Sequence, residues 1–264
     1  MRRRLDTELV RRHLVGTRTQ AVEAIASGRV FVRGAPARNA SRQVDADEPI
    51  QLEGEGPRFV SRGGEKLEHA LSSFSIDVRG ARCIDAGAST GGFTDCLLQH
   101  GAAHVVAVDV GHGQLAWKLR HDDRVTVLER TNIRELAPAD VGGTAPVLVA
   151  DLSFISLRTV APALARLTDA DAHLVLLVKP QFEAGRGRVG RGGVVREAAV
   201  HLEVLRDVAR GLFLHGLVMN DVVPSPIRGA DGNVEFVAHV TKQGELASGE
   251  RLAAMVEHAH GGGA

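Results

Sequence analysis

The chain of 264 residues has only four lysines among its 32 lysines and arginines, and two of them stand where they could do chemistry. Asp151 ends the apolar run VLVAD, and Lys179 ends the apolar run HLVLLVK. Lys66 stands in SRGGEKL, and Glu235 stands in GNVEF. A lysine that is partly buried beside another cation can lose its proton and act as a base, while carboxylates hold it in place. Such a set could activate a weakly acidic hydroxyl, for example that of a sugar, as a nucleophile.

The elements around these residues predict an α/β fold. From residue 62 onward, apolar runs alternate with segments of helical spacing, which indicates a doubly wound, mainly parallel sheet. The predicted strands are 81–87, 104–109, 125–129, 146–151, 173–178, 217–224 and 233–241. The predicted helices are 62–75, 91–100, 113–120, 157–167 and 196–214, with a closing helix at 245–259.

This topology brings the four polar residues to one edge of the sheet. Asp151 and Lys179 follow their strands, and ligands bind at the carboxyl ends of strands in such sheets. The last two strands have no room for a crossover helix between them, so we expect them to pair antiparallel at one side. The start of the last strand, with Glu235, and the start of helix 62–75, with Lys66, then lie at the same edge. A cation near a helix N-terminus is disfavoured by the helix dipole, which suggests a role other than stability.

A glycine-rich turn, DAGASTGGFT, follows the first strand of this sheet. Such a turn brings backbone close to a bound ligand. An NAD site would need glycine in place of Ser89, and a hydrolase nucleophile elbow (G-x-S-x-G) would follow several strands rather than the first. An S-adenosylmethionine site fits better, because it needs an acid at the start of the turn, glycines under the ligand and an acid after the second strand for the ribose. The residues in that order are Asp85, Gly87, Gly91, Gly92 and Asp109.

The first 42 residues form a basic segment with ten arginines against three acidic residues. Apolar residues at helical spacing predict a first helix, Thr17 is placed to cap a second helix, and Gly28 is placed to end it. The stretch RVFVRG (29–34) alternates like a strand. A surplus of arginine in so short a segment favours a nucleic-acid backbone as partner over a merely solvated charged face.

This segment, LDTELVRRHLVGTRTQAVEAIASGRVFVRG, resembles the S4 domain, a small α+β RNA-binding fold of ribosomal proteins and RNA-modifying enzymes. Thr17 and Arg33 stand where that domain usually has Ser and Asn. The resemblance implies an RNA-binding domain over 1–56. A Gly- and Pro-containing break predicts a linker over 57–62 and a second domain over 63–264.

Six further motifs follow the order found in the TlyA family, whose catalytic domain is similar to the FtsJ-type ribose 2′-O-methyltransferases. They are SRGGEKL (61–67), DAGASTGGFTD (85–95), VDVGHGQL (108–115), DLSFISL (151–157), LVKPQFE (177–183) and GNVEF (232–236). The resemblance implies an S4 domain followed by a Rossmann-like methyltransferase sheet with an antiparallel last strand. It also implies transfer of methyl from S-adenosylmethionine to cytidine 2′-hydroxyls of ribosomal RNA within ribosomal subunits, 16S and 23S.

The same resemblance assigns roles to residues. The implied catalytic residues are Lys66, Asp151, Lys179 and Glu235. The implied cofactor-binding residues are Asp85, Gly87, Ala88, Ser89, Gly91, Gly92, Phe93, Asp109, Val110, Asn132 and Ile133.

Arginines in two segments are the predicted RNA contacts. After Lys179, the stretch QFEAGRGRVGRGGVVR mixes arginine with glycine, and we expect a mobile substrate loop beside the site. Aromatic residues make up only 3% of the chain, so phosphates and RNA shape should dominate recognition. Phe154 and Phe182 could stack on a base or pack in the core. The predicted RNA-binding residues are Arg3, Arg4, Arg11, Arg18, Arg29, Arg186, Arg188 and Arg191.

Composition argues against several other classes of protein. The longest apolar runs, such as 174–178, are far shorter than the ~20 residues of a membrane helix, and the N-terminus has no apolar signal-peptide centre. Cys83 and Cys96 supply neither a disulfide framework nor a zinc set. We therefore expect a cytoplasmic enzyme without a metal and without a membrane or DNA partner. The alternatives are a non-catalytic RNA-binding assembly factor and a membrane-active haemolysin, a label that the family also carries.

Overall fold

A computed structural model describes residues 2–54, 56–190, 192–229 and 231–261. The chain divides into two compact units, Met1–Arg58 and Phe59–Ala264. Each unit has an apolar core of its own, as expected of separate domains. The division falls inside the segment 57–62 that the sequence predicts as a linker.

The first unit combines two helices with two small antiparallel sheets. The helices are α1 (Leu5–Arg11) and α2 (Arg18–Ala26). The strands are β1 (Arg3–Arg4), β2 (Val30–Val32), β3 (Ala35–Pro36), β4 (Gln43–Val44) and β5 (Ile50–Leu52). Strand β2 lies between β3 and β5, and β1 pairs with β4. The sequence predicts both helices and β2, but strands of two or three residues are too short for an alternating pattern to reveal them.

Helix α2 begins and ends at the residues that the sequence predicts. The hydroxyl of Thr17 accepts from the Gln20 amide at 3.2 Å, and the Gln20 side chain accepts from the Thr17 amide at 3.2 Å, which forms a capping box. Gly28 has φ 74° just after the helix, and the Arg29 amide donates to the Ala24 carbonyl at 3.0 Å. This left-handed glycine turn ends the helix and leads directly into β2.

The second unit is built on a seven-stranded sheet within the described residues. Its strands are β6 (Arg82–Ala86), β7 (His104–Val108), β8 (Val125–Leu128), β9 (Ala145–Ala150), β10 (Thr168–Val178), β11 (Val218–Pro224) and β12 (Phe236–Thr241). The order across the sheet is β11-β12-β10-β9-β6-β7-β8. Strands β6 to β10 pair in parallel, and β12 is antiparallel to both of its neighbours. The predicted antiparallel last strand is therefore confirmed, and it lies inside the sheet with β11 at the edge.

Helices cover both faces of this sheet. They are α3 (Gly63–Ser73), α4 (Gly92–Gln99), α5 (Trp117–Arg120), α6 (Leu157–Arg166), α7 (Pro180–Glu183), α8 (Ala198–Phe213) and α9 (Gly249–Gly261). Short 3₁₀ turns occupy Ile133–Glu135, Pro138–Val141 and Arg186–Arg188. Along β10, Leu174 and Leu176 pack against the face with α6 and α8, while Val175 and Leu177 pack against the face with α3 and α4. This alternation confirms the doubly wound α/β fold class.

Several predicted elements have shifted ends: strand 233–241 begins at Phe236, and helix 245–259 begins at Gly249. Two other elements differ more. The predicted helix 113–120 is helical only over Trp117–Arg120, because side chains hold the preceding residues as a loop: Asp109 accepts from the Gly111 amide and Glu129 accepts from the Gly113 amide. The predicted strand 173–178 begins earlier, at Thr168, and its polar first half runs past an irregularity in the ladder with β9. Neither feature has an apolar pattern from which it could be predicted.

Within the described residues, no helix is both long enough and apolar enough to cross a lipid bilayer.

Candidate active site

A cavity of about 500 Å³ opens at the carboxyl ends of β6, β7 and β9. This is the edge at which the sequence predicts ligand binding. The residues of the predicted cofactor set that line it are Gly87, Ser89, Asp109, Val110, Asn132 and Ile133. Further lining residues, which the sequence analysis did not select, include Gly111, Gln114, Thr131 and Ser153.

The glycine turn is shaped for close approach of the backbone. Gly87 has φ 85°, and a Cβ added there would lie 2.6 Å from the Asp151 carbonyl oxygen. Ser89 also adopts a left-handed conformation, with φ 48°. A larger residue at Gly87 would therefore both strain the turn and push on the strand end that carries Asp151.

Asp109 organises the mouth of the cavity. One of its oxygens accepts from the Ser89 amide at 2.7 Å, and the other accepts from the Gly111 amide at 2.6 Å. Each carboxylate oxygen keeps a free lone pair after one such bond. Asp109 therefore joins the glycine turn to the next loop and still presents acceptors toward the cavity.

Five predicted cofactor residues do not line the cavity: Asp85, Ala88, Gly91, Gly92 and Phe93. Ala88 and Phe93 are buried in the core cluster of the helix face that carries α3 and α4. A Cβ at Gly91 would lie 2.3 Å from a Leu119 methyl carbon, and one at Gly92 would lie 2.2 Å from the Ser61 hydroxyl. These positions let the start of α4 pack closely against its neighbours.

Asp85 is a buried acid beneath the turn. Its side chain is fully buried, and Thr94 donates a hydrogen bond to one oxygen at 2.6 Å. The other oxygen has no hydrogen-bond partner among the described residues. Burial raises the pKa of Asp85 to about 7, against the effect of the Thr94 bond, and the neighbouring Asp151 carboxylate raises it further.

Lys179 and Asp151 form an ion pair at the ends of neighbouring strands. Their charged atoms are 2.5 Å apart, and the two side chains are 11% and 24% exposed. Lys179 also donates to the Ser153 hydroxyl at 3.0 Å. Ser153 and Asp151 both line the cavity, so the lysine nitrogen lies beside it.

Lys66 and Glu235 form a second ion pair that is more deeply buried. Their charged atoms are 2.5 Å apart, and the side chains are 10% and 3% exposed. Lys66 reaches this contact from the first turns of α3, and Glu235 reaches it from the residue before β12. A buried ion pair of this kind has to compensate a large desolvation cost, so it is a weak device for stability alone.

Strand register connects the two ion pairs. Val178 at the end of β10 pairs with Phe236 at the start of β12. Lys179 and Glu235 extend that register by one residue each, on adjacent strands. The four predicted catalytic residues thus form two lysine–carboxylate pairs at one edge of the sheet.

An exposed aromatic side chain stands beside this edge. Phe154 is 91% exposed and has φ 63°, a strained conformation for a bulky residue. Its ring lies 5.0 Å from that of Phe182, and the Lys179 nitrogen lies 5.8 Å from the Phe182 ring centre. Core packing therefore does not account for Phe154.

The segment after Lys179 also carries predicted RNA contacts. Arg188 donates to the Ala184 carbonyl at 2.9 Å and contacts Glu203 of α8. For Arg186 the structure describes the backbone only, and Arg191 lies outside the described residues.

In the first unit, the predicted RNA-binding arginines surround two buried acids. Asp6 and Glu8 are both 0% exposed. Arg4 and Arg18 each lie 2.9 Å from Asp6. The arginines around Glu8 are Arg3 at 3.9 Å, Arg11 at 2.6 Å and Arg12 at 2.8 Å. Arg29 stands apart and donates to the Glu53 carbonyl at 3.2 Å.

These contacts order the arginines and lower the net charge of the cluster. The Arg4 hydrogen bonds hold the pKa of Asp6 well below its usual range, and those of Arg11 lower the pKa of Glu8 to about 2. Five arginines around two carboxylates still leave a surplus of three positive charges, and four of the five guanidinium side chains are at least 36% exposed. The result is a preorganised basic surface.

Fold and site together define a methyltransferase of the doubly wound class joined to an S4 domain. The sequence profile of the FtsJ-like methyltransferases matches residues 59–242, and that of the S4 domain matches residues 3–50. The chain is 50% identical over 247 residues to the 16S/23S rRNA (cytidine-2′-O)-methyltransferase TlyA of Mycobacterium tuberculosis, covering 93% of this chain and 92% of the relative. The chain belongs to the TlyA family of FtsJ-like methyltransferases.

Two other proteins are similar over nearly the full length. The putative rRNA methyltransferase YqxC of Bacillus subtilis is 45% identical over 263 residues, which cover 97% of this chain and 94% of that protein. The solved structure of a putative hemolysin from Streptococcus thermophilus has a TM-score of 0.79 and 41% identity, covering 98% of this chain and 96% of that one. The haemolysin name thus recurs among proteins with this architecture.

Proposed function

We propose that this protein transfers a methyl group from S-adenosylmethionine to the 2′-hydroxyl of cytidines in ribosomal RNA. The observation that carries the proposal is the two lysine–carboxylate contacts at the sheet edge, of which the Lys179–Asp151 pair lies beside the cavity. The two pairs place lysine nitrogens and carboxylates where they can hydrogen-bond a ribose hydroxyl and receive its proton. Similarity to a 16S/23S enzyme supports both ribosomal RNAs as substrates and the cytoplasm as the place of action.

The residues around the cavity fit S-adenosylmethionine. Asp109 presents acceptors for the ribose hydroxyls, and the Gly87 turn leaves room for a ligand against the backbone. Asn132 and Ile133 line the same cavity and would flank the adenine. Asp85 does not line the cavity and would act indirectly, through its hydrogen bond with Thr94 in α4. When bound, S-adenosylmethionine supplies an electrophilic methyl group.

The reacting proton is handled by the chain's own side chains. In its neutral form, Lys179 would take the 2′-hydroxyl proton while the oxygen–methyl bond forms and the bond from that methyl to the cofactor sulfur breaks. Asp151, 2.5 Å away, stabilises the ammonium that results, and Ser153 fixes the direction of the nitrogen. Lys66, from α3, and Glu235, from the residue before β12, orient the ribose. General bases of this kind typically contribute ~100-fold to ~10,000-fold to a rate.

RNA is held by positive charge and by Phe154. The basic surface around Asp6 and Glu8 binds phosphates, and Arg188 adds a contact from the segment that follows Lys179. Phe154, with its exposed ring, stacks on the target base or on a neighbour. Phosphate contacts supply affinity, while the active site selects the nucleotide.

The direct test is methyl transfer to purified ribosomal subunits. Labelled S-adenosylmethionine is offered with small and large subunits separately, and the modified nucleotide is mapped. Methyl on a cytidine ribose in both subunits is the expected result. Methyl on the large subunit only would overturn the 16S part, and cofactor binding without transfer to either subunit would favour the assembly-factor alternative.

A further inference from the structure

Asn233 connects the arginine-rich segment to the strand that carries Glu235. Its side chain is 1% exposed. The amide oxygen accepts from the Val195 N–H at 3.0 Å, and the amide nitrogen donates to the Gly193 carbonyl at 3.0 Å. A buried amide that satisfies both of its ends on one backbone segment fixes the position of that segment.

The other end of the same segment is held by Glu183. This carboxylate is 5% exposed and accepts from the Leu157 N–H at 2.7 Å and from the Ser156 hydroxyl at 2.5 Å. We call residues 184–190 and 192–195 the arginine loop. Two buried polar side chains, on different elements, thus anchor the two ends of the arginine loop.

Between these anchors the loop relies on glycine. Gly185, Gly192 and Gly193 all have φ between 76° and 81°, which other residues rarely adopt. Arg188, in the first half of the loop, has a side chain that is 40% exposed. The loop therefore presents the Arg188 guanidinium, which is paired with Glu203 of α8, on a glycine-rich backbone whose two ends are held by buried side chains.

A short chain of contacts leads from Asn233 to the catalytic pair. The Asn233 carbonyl accepts from the Gly229 N–H at 2.9 Å. A Cβ at Gly229 would lie 2.6 Å from one carboxylate oxygen of Glu235, so this glycine packs directly on that group. The other oxygen lies 2.5 Å from the Lys66 nitrogen. The arginine loop and the Lys66–Glu235 pair are thus both held by the backbone segment that precedes β12.

We infer that Asn233 is a positioning residue that holds the arginine loop in register with Glu235, so that RNA bound by the loop presents its ribose to the catalytic pair. This inference rests on the proposed function. Asn233 touches neither the cofactor cavity nor the reacting hydroxyl, and it acts through the loop. Its loss should weaken productive RNA binding and leave the cofactor site intact.

Asn220 offers a matched control. It is also an asparagine that ties backbone segments together, donating to the Gln243 and Glu245 carbonyls at 3.1 Å each. It lies in β11, and its partners follow β12 at the opposite end of that strand from Glu235. Asn220→Ala therefore removes a comparable structural contact without touching the arginine loop.

The experiment compares Asn233→Ala and Asn220→Ala with the wild type in three assays. For Asn233→Ala we expect kcat/KM for ribosomal RNA to fall roughly 10-fold or more, because small misplacements of bound substrate are costly. The Kd for S-adenosylmethionine should stay within about twofold, since a lost positioning contact acts on the transition state for RNA. Trypsin should cut faster after Arg188 and Arg196 in this variant only.

A double variant separates positioning from general stability. If Asn233 acts through the loop, Asn233→Ala should add little to the kcat/KM loss already caused by Arg188→Ala, whereas independent effects would multiply. Multiplying effects, unchanged kcat/KM, or a parallel loss of cofactor affinity would each overturn the inference. If the wild type transfers no methyl to RNA, the proposed function fails. The trypsin comparison then still decides whether Asn233 holds the loop, and unchanged cleavage would refute it.

Discussion

The nitrogen of Lys179 lies 2.5 Å from a carboxylate oxygen of Asp151, across the ends of two parallel strands. The same nitrogen donates to the Ser153 hydroxyl, two residues further along the chain. The loop at the end of β9 therefore supplies both the negative charge that pairs with Lys179 and the hydroxyl that sets the direction of its nitrogen. On the β12 side of β10, Val178 pairs with Phe236, so Lys179 and Glu235 are the next residues along that register. This placement makes Lys179 the centre of the proposed proton transfer.

The Lys66–Glu235 pair should show strong thermodynamic coupling. Glu235→Ala leaves a buried ammonium without its partner, and such changes cost about 3–5 kcal/mol of unfolding free energy. Lys66→Ala/Glu235→Ala removes both charges and should be more stable than Glu235→Ala alone. Urea unfolding of Lys66→Ala, Glu235→Ala and the double variant, compared with the wild type, measures this coupling. Additive losses in the double variant would show that the two side chains do not interact as the structure indicates.

Gly87 should tolerate no side chain, unlike Gly80. Both have positive φ, 85° and 70°, so alanine costs about 1 kcal/mol in conformation at either site. A Cβ at Gly87 also meets the Asp151 carbonyl oxygen at 2.6 Å, whereas a Cβ at Gly80 meets no atom of the described residues within 4 Å. We expect Gly87→Ala to lower methyl transfer about 100-fold and Gly80→Ala to leave it nearly unchanged. Equal activity of the two folded variants would contradict the close approach.

Asp85 should make the protein less stable as pH rises. Its pKa is about 7 in the folded state, against 3.8 for a free aspartate side chain. Between these values the unfolded chain is ionised while the folded protein keeps the proton, so the free energy of unfolding falls with increasing pH and stays lower above pH 7. Asp85→Asn removes this penalty.

Urea unfolding at pH 5 and pH 8 tests the Asp85 prediction. The wild type should lose stability relative to Asp85→Asn on going from pH 5 to pH 8, by at most about 3 kcal/mol, because part of the effect is already present at pH 5. Subtracting the two proteins removes the contribution of other titrating groups. A constant difference between the two pH values would mean that the buried carboxyl is already ionised at pH 5.

Arg18 should contribute to RNA affinity in a salt-dependent way. Its side chain is 63% exposed while anchored to buried Asp6. Arg18→Ala should weaken RNA binding and reduce the slope of log affinity against log salt by about 1. Arg79→Ala is the control, because Arg79 is 80% exposed and paired with Asp77 in the second unit. RNA binding by the two variants and the wild type is measured at salt concentrations from roughly 50 to 300 mM, and the slopes are compared. Identical slopes for both variants and the wild type would remove Arg18 from the RNA surface.

The sequence predicts which residues lie at the active-site edge of the sheet, but it does not predict how their side chains pair. The apolar runs that end in Asp151 and Lys179 can be recognised as strands from the sequence. Because parallel strands end at the same edge of a sheet, their topology then predicts where these two side chains lie. The pairing of Lys179 with Asp151 and of Lys66 with Glu235 could not be derived in this way, since it depends on side-chain direction and helix placement.

Other features escaped prediction for a different reason. Asn233 and Glu183 act through backbone atoms of segments that are distant in sequence, and no local pattern marks such contacts. The buried state of Asp6 was likewise hidden, because an acid among arginines has the pattern of an exposed charged face. Burial of a polar residue is decided by tertiary packing.

The most direct test of the account is Lys179→Met, with Lys242→Met as its matched control. Lys242 donates only to the Thr168 carbonyl, at 2.6 Å, near the opposite end of β10. Methyl transfer to ribosomal subunits and S-adenosylmethionine binding are measured for both folded variants. The account predicts that Lys179→Met loses about 100-fold or more of the transfer rate with cofactor binding retained, and that Lys242→Met stays active. Wild-type transfer by Lys179→Met would contradict the proposed role of Lys179.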